Sequence, residues 1–158
     1  MDKTHQILLT PEGLTELKKE YANLVNVKRP DAVARMAQAR EAGDLAENSE
    51  YTASREDLAF IDGRIAEIEE IIHGAKAIKH KPTTGKGSKI DLGCKVHLTL
   101  DGKREVFTIV GEWEANPTEQ KISHESPLGK ALMGKKVGEM VQVEAPAGKL
   151  TYKILKIE

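Results

Sequence analysis

The sequence predicts an α+β protein, with an N-terminal antiparallel α-helical coiled-coil hairpin followed by a small, mostly antiparallel β domain carrying one short helix. Three observations predict it. From Tyr51 the positions Tyr51, Ser54, Leu58, Ile61, Ile65, Ile68 and Ile72 recur at alternating spacings of three and four, with charged residues between them, which is a heptad seam. After residue 92 the apolar period changes to two. Between these regions HKPTTGKGSKIDL, residues 80–92, is rich in Gly, Lys, Thr and Pro and reads as a linker. The expected domains are 1–79, the coiled coil, and 93–158, the β domain, joined by 80–92.

The elements follow in order. Thr10-Pro11-Glu12 marks a helix start, with a threonine cap and proline in the first turn. Leu14, Leu17, Tyr21 and Leu24 keep step along the helix. Lys28-Arg29-Pro30 then interrupts it, because proline lacks the N–H a helix needs and clashes with the preceding turn, so a bend or short break is expected there. Val33, Met36 and Ala37 are expected to resume the seam, and Gly43 to end it. Each helix alone leaves an apolar stripe in water and their connection is short, so the two fold back on each other within one chain, as a monomer. A parallel homodimer through the second helix is the alternative. In the second domain Val96, Leu98 and Leu100 alternate with polar residues, Asp101-Gly102 makes a hairpin turn, and Val106–Val110 returns. Further strands are expected around Val141–Glu144 and Leu150–Ile157, with Gly148 in the turn between them. Ser126-Pro127, then Leu128, Ala131 and Leu132, closed by Gly134, reads as a capped short helix.

Charge and composition narrow the function. Residues 1–80 hold 11 Lys+Arg against 15 Asp+Glu, and residues 81–158 hold 13 against 10, too mild an imbalance for a nucleic-acid binder that works by net charge alone. The single cysteine, Cys94, rules out an internal disulfide and a cage of several thiolates around zinc, and suits a reducing cytosol. His73, His80, His97 and His124 have no ligand spacing. No apolar run approaches the ~18 residues needed to span a bilayer, and the N-terminus has no secretion-signal pattern. A cytoplasmic protein without membrane contact is expected.

The turn between the helices, GDLAENSE at 43–50, is the most unusual stretch. Asp44 could cap the second helix or a short turn before it, with Glu47 reaching back as in a capping box. That leaves Leu45 as an apolar residue at a solvated turn, and Glu41, Asp44, Glu47 and Glu50 as four carboxylates within ten residues. Carboxylate oxygens suit Mg²⁺, but that ion keeps its waters and is poorly held by two exposed acids. Such a tip is suited to completing a metal site supplied by another molecule.

Lys28-Arg29-Pro30, AREAGDLAENSEY at 39–51 and HESPLGKALMGKKVGE at 124–139 together resemble the bacterial Gre transcript cleavage factors, in the same order over nearly the whole chain. The resemblance implies a coiled coil inserted through the secondary channel of bacterial RNA polymerase, and a second domain similar to the FKBP type of prolyl isomerase. It implies that Asp44 and Glu47 are the tip acids that help hold a second Mg²⁺ and orient the attacking water while the polymerase itself cuts the nascent RNA 3′ end in a backtracked complex. The Mg²⁺ would be supplied and mainly held by the polymerase, with none tightly bound by this chain alone. It further implies that Glu125, Ser126 and Pro127 contact the polymerase at the channel rim, and that a basic strip including Lys18, Lys19, Lys28, Arg29, Arg35 and Arg40 faces RNA. The plainer readings are a helix cap at Ser126-Pro127 and a solvated coil face for the cations. Ala46 departs from the serine or charged residue often found before the tip glutamate. The rival functions are a Gre-like inhibitor of the same channel, a prolyl isomerase or chaperone with a coiled-coil arm, and a plain coiled-coil interaction protein.

Overall fold

The computed structural model of the chain describes residues 7–43, 48–77 and 87–158. Asp44, Leu45, Ala46 and Glu47, and residues 80–86 of the expected linker, lie outside the described residues. The chain divides into two compact units, Leu14–Ala75 and a second that joins Met1–Gly13 to Lys76–Glu158. No helix is long and apolar enough to cross a membrane among the described residues.

The helical unit contains α1 (Pro11–Asn23) from Leu14 onward, its first turn belonging to the other unit, a π turn (Leu24–Lys28), α2 (Arg29–Glu41) and α3 (Ser49–Gly74). The expected interruption at Lys28-Arg29-Pro30 is thus a widened turn just before the proline, in which the Arg29 N–H donates to the Leu24 carbonyl five residues back. The widening also corrects the seam. Beyond the proline Ala32 (0% exposed) and Ala39 (3%) are buried and Met36 is half-buried, whereas Val33 (37%) and Ala37 are exposed. A heptad counted from Leu24 next reaches Asp31, and the one extra residue in the π turn moves that position to Ala32. Sequence periodicity alone cannot see a turn of i→i+5 bonds, so the expected Val33 and Ala37 lie one step out of phase.

Along α3, Ser54 and Ile68 are buried and Tyr51, Leu58, Ile61, Ile65 and Ile72 half-buried, as the heptad requires, with Ile71 also buried. The Ser54 hydroxyl donates to the Glu50 carbonyl at 2.7 Å, so its burial leaves no unsatisfied donor. Polar ties fix the antiparallel register. The Tyr21 hydroxyl donates to Glu69 at 2.7 Å, the Arg64 guanidinium donates to both oxygens of Glu20 at 2.7 and 3.0 Å, Arg29 pairs with Asp62 at 2.7 Å, and Arg35 with Asp57 at 3.3 Å.

In the second unit β3 (Lys95–Leu100), β4 (Lys103–Val110), β5 (Lys121–Ser123), β6 (Met140–Ala145) and β7 (Gly148–Ile157) form one sheet in the order β5-β4-β3-β7-β6. Every pairing is antiparallel except the parallel β4–β5 contact. Asp101 and Gly102 turn β3 into β4 with positive φ of 49° and 81°, a conformation that Asp and Gly accept most readily. On one face Val96, Leu98, Ile109, Tyr152 and Ile154 make the core with Leu132 of the short helix α4 (Pro127–Leu132). Ile90 and Leu92, read from sequence as linker, are 1% and 2% exposed. Ile90 is tied at both backbone groups, its N–H to the Lys135 carbonyl and its carbonyl to the Gly134 N–H, each at 2.8 Å. Strand β1 (Ile7–Leu9) and β2 (Ala75–Ala77) form a separate two-stranded sheet.

The start of α1 is held from outside the helix. Thr10 Oγ1 accepts from the Gly13 N–H at 3.1 Å, the cap the sequence predicts. The Glu114 carboxylate accepts from the Thr10 N–H at 2.9 Å, the Gly111 N–H at 3.2 Å and the Thr10 hydroxyl. A Cβ at Gly13 would stand 1.8 Å from Glu114 Oε1, so this acid occupies the space that any larger residue there would need.

Candidate functional site

The helix ends that flank the acidic turn are built by one residue that periodicity does not single out. Asn48 Oδ1 accepts from the Tyr51 N–H at 3.1 Å and caps α3, the role that sequence offered to Asp44. Its Nδ2 donates to the carbonyl of Ala39 at 2.7 Å, near the end of α2. One side chain therefore satisfies an orphan N–H of one helix and adds a second donor to a C=O of the other, which also accepts from the Ala42 N–H at 3.3 Å. A signal for it exists, since Asn is a favoured cap and stands immediately before a helical pattern, but the neighbouring acids draw the eye first. Glu41 and Glu50, which bracket the turn, are exposed.

The cations of the basic strip are not equivalent. Arg29 and Arg35 are engaged by Asp62 and Asp57, whereas Lys28 and Arg40 are exposed and make no ion pair among the described residues. Further down the coil the Arg64 guanidinium holds the Glu20 carboxyl below its ordinary range, while Glu69, accepting its hydrogen bond, pushes the Tyr21 hydroxyl up. Burial raises the Cys94 thiol, which disfavours a reactive thiolate there. Among the described residues no three His, Cys, Asp or Glu side chains converge as a metal site.

The second expected contact region, Glu125, Ser126 and Pro127, lies between β5 and α4. Ser126 Oγ accepts from the Gly129 N–H at 3.0 Å and donates to the Ser123 carbonyl at 2.7 Å. Ser123 Oγ accepts from the Glu125 N–H at 3.0 Å. Gly129 packs so closely that a Cβ there would lie 2.0 Å from the Ser123 carbonyl oxygen, which explains a glycine two residues after the proline. The hydroxyl of Ser126 is thus spent on shaping the loop. Glu125 and Pro127 are the members left exposed, with the His124 ring 3.7 Å from the Glu125 carboxylate.

Comparison with known proteins covers both units. Residues 7–76 match the family model described as transcription elongation factor, N-terminal, and residues 85–158 match that of transcription elongation factor, GreA/GreB, C-term. The chain is 43% identical over 153 residues to transcription elongation factor GreA of Thermomicrobium roseum, spanning 97% of each chain. It is 46% identical over 153 residues to the protein of that name from Thermoanaerobacter pseudethanolicus, spanning 96% of each. A solved structure, GreA factor homolog 1 of Thermus thermophilus, is 29% identical, with 98% of this chain and 99% of that one covered at a TM-score of 0.45. On the two family models and these full-length identities, the chain belongs to the GreA/GreB family of transcription elongation factors.

Proposed function

We propose that this chain binds bacterial RNA polymerase through its secondary channel and stimulates the polymerase's own cleavage of the nascent RNA 3′ end in backtracked complexes, having no nuclease activity of its own. The observation that carries the reading is the antiparallel pairing of α2 with α3, bridged by Asn48, so that helix ends at Glu41 and Ser49 flank the acidic part of AREAGDLAENSEY. Family membership supports the process.

In this reading Asp44 and Glu47 act by presenting carboxylate oxygens, the hard donors that Mg²⁺ prefers. Two such groups fill only part of an octahedral shell, so the remaining ligands come from polymerase, RNA and water. A bound Mg²⁺ supplies activation of water and stabilisation of the leaving oxygen. The helices hold the turn, Glu125 and Pro127 meet the channel rim while Ser126 shapes that loop, and Lys28 and Arg40 are the cations best placed to face RNA. The factor works as a cytoplasmic monomer.

The test adds the protein to stalled elongation complexes with Mg²⁺ and follows release of short 3′ fragments. The double variant Asp44→Asn/Glu47→Gln is expected to return cleavage to the polymerase's own background, a loss of about a hundredfold or more for removal of charged groups acting at a transition state, with binding retained. Cleavage undiminished in that variant overturns the tip assignment. RNA cut by the purified chain without polymerase overturns the accessory role.

A further inference from the structure

The face of the five-stranded sheet that turns away from the core is unevenly charged. Pairing puts Arg104 of β4, Thr99 of β3, Lys153 of β7 and Met140 of β6 in one row across four strands. The next row holds Val106, His97 and Lys156, and the one beyond it Lys121, Thr108 and Lys95, with Glu158 opposite Lys95. Alternation confirms the side: Val96, Leu98, Ile154 and Val141 are buried, while Lys95, Arg104, Lys153, Lys156 and Met140 are exposed. Counting the strands' outward positions, the cations are Lys95, Arg104, Lys121, Lys149, Lys153 and Lys156, and the carboxylates are Glu144 and Glu158.

Of these carboxylates Glu158 is already committed. Glu158 is held by Lys156 and by His97 at 3.3 Å, and Glu144 lies directly across from Lys149. Lys121 is paired with Glu119 at 2.7 Å. Lys95, Arg104 and Lys153 make no ion pair among the described residues. Three unpaired cations therefore share one pleated surface, Arg104 and Lys153 about 10 Å apart across two strands and Lys95 two rows away, about 13 Å along β3. Hydroxyls of Thr99 and Thr108 stand between them.

We propose that this outer face is a docking surface for single-stranded RNA, held through its phosphates by Lys95, Arg104 and Lys153. The complementarity is of charge, since the chain's overall balance of −1 gives no general attraction for a polyanion while on this face cations outnumber carboxylates. The ring on its outward positions is that of His97, engaged by Glu158 at 3.3 Å, and no Phe, Tyr or Trp stands there, so bases find no free stacking platform and binding is independent of sequence. Threonine hydroxyls within reach of a ribose favour RNA over DNA, because the 2′-OH is the group that distinguishes the two. A flexible strand can place successive phosphates on a twisted array of cations, whereas a straight duplex meets only part of it. The surface shares no residue with the acidic turn or the Ser126 loop, and the proposal stands without polymerase.

The experiment measures fluorescence anisotropy of a labelled 20-nucleotide oligouridine with the full chain between 50 and 200 mM KCl. The triple variant Lys95→Gln/Arg104→Gln/Lys153→Gln is expected to bind about tenfold more weakly at the low salt, and the slope of log affinity against log salt is expected to fall by about 2, at roughly 0.7 for each phosphate no longer neutralised. Circular dichroism melting checks that the variant is folded, and Lys95→Arg/Lys153→Arg should restore binding. The coil cations assigned to RNA inside polymerase are tested separately, Lys28→Gln/Arg40→Gln being expected to lower the slope by less than the triple variant does. The proposal is overturned if the triple variant keeps the parental slope or if the coil variant alone removes it. Equal binding of polyglutamate, marking an acidic-protein surface, or tighter binding of duplex DNA also overturns it.

Discussion

Asn48 shows how much a single amide contributes when both its ends are used. As a cap it stabilises α3 by about 1 kcal/mol, and its donation to the Ala39 carbonyl adds a hydrogen bond of similar net worth. Replacing it by aspartate keeps the capping acceptor and removes the donor, while alanine removes both. Asn48→Asp is therefore expected to cost roughly 1 kcal/mol and Asn48→Ala roughly 2, read as shifts in the urea midpoint of helix ellipticity. No loss in Asn48→Asp would mean that the Ala39 bond contributes nothing, and equal losses for both variants that the cap contributes nothing. Glu114 belongs to the same class, a polar residue acting on backbone groups distant in sequence. Glu114 was not legible beforehand, because a side chain that bonds to distant main chain leaves no periodic trace, and the cap signal of Asn48 gives no sign of its second bond to Ala39. The caps at Thr10 and Ser126 were legible, since a following proline marks the first turn.

At the scale of elements, ionic ties along the coil set a pH dependence whose sign can be worked out. Glu20 has its pKa lowered below the usual value near 4.5, chiefly by its hydrogen bond to Arg64. A carboxyl depressed on folding contributes stability above its unfolded pKa and loses it as pH falls through the folded value. Both side chains are partly exposed, so the contribution is modest and screened by salt. Glu20→Gln should lower the melting temperature at pH 7, and the difference from the parent should narrow as the pH falls below 4.5. A gap as wide at pH 3 as at pH 7 would remove the ion pair as its cause. The seam of α3 was readable along its whole length because nothing disturbs its 3.5-residue repeat. The first helical arm was readable only up to Leu24, after which the π turn shifts the phase and exposes Val33 in place of Ala32. Strand β5 was missed for a different reason: three half-buried residues in parallel pairing carry too short a pattern to register.

At the scale of the molecule, two compact units with separate apolar interiors should unfold as two cooperative transitions. Leu98, 0% exposed in the sheet core, is the discriminating position. Leu98→Ala is expected to destabilise the sheet unit by about 2–5 kcal/mol through reduced burial and the cavity left behind. The helical unit should be unaffected, as followed by calorimetry against ellipticity. A common shift of both transitions would show a single cooperative block instead. The class of fold and the order of its parts were legible in the sequence, as was the location of the acidic turn. The charged face of the sheet was not, because it arises from registers between strands distant in the chain: Arg104 and Lys153 become near neighbours only through Thr99.

The π turn also bears on how an arm of this kind tolerates change. Because one surplus residue is absorbed locally, the two antiparallel limbs need not contain matched residue numbers to keep their greasy edges facing. A single deletion among Leu24–Lys28 could be taken up by returning to ordinary winding, leaving everything distal in phase. The wide turn is in effect a vernier, giving the hairpin one notch of adjustable length.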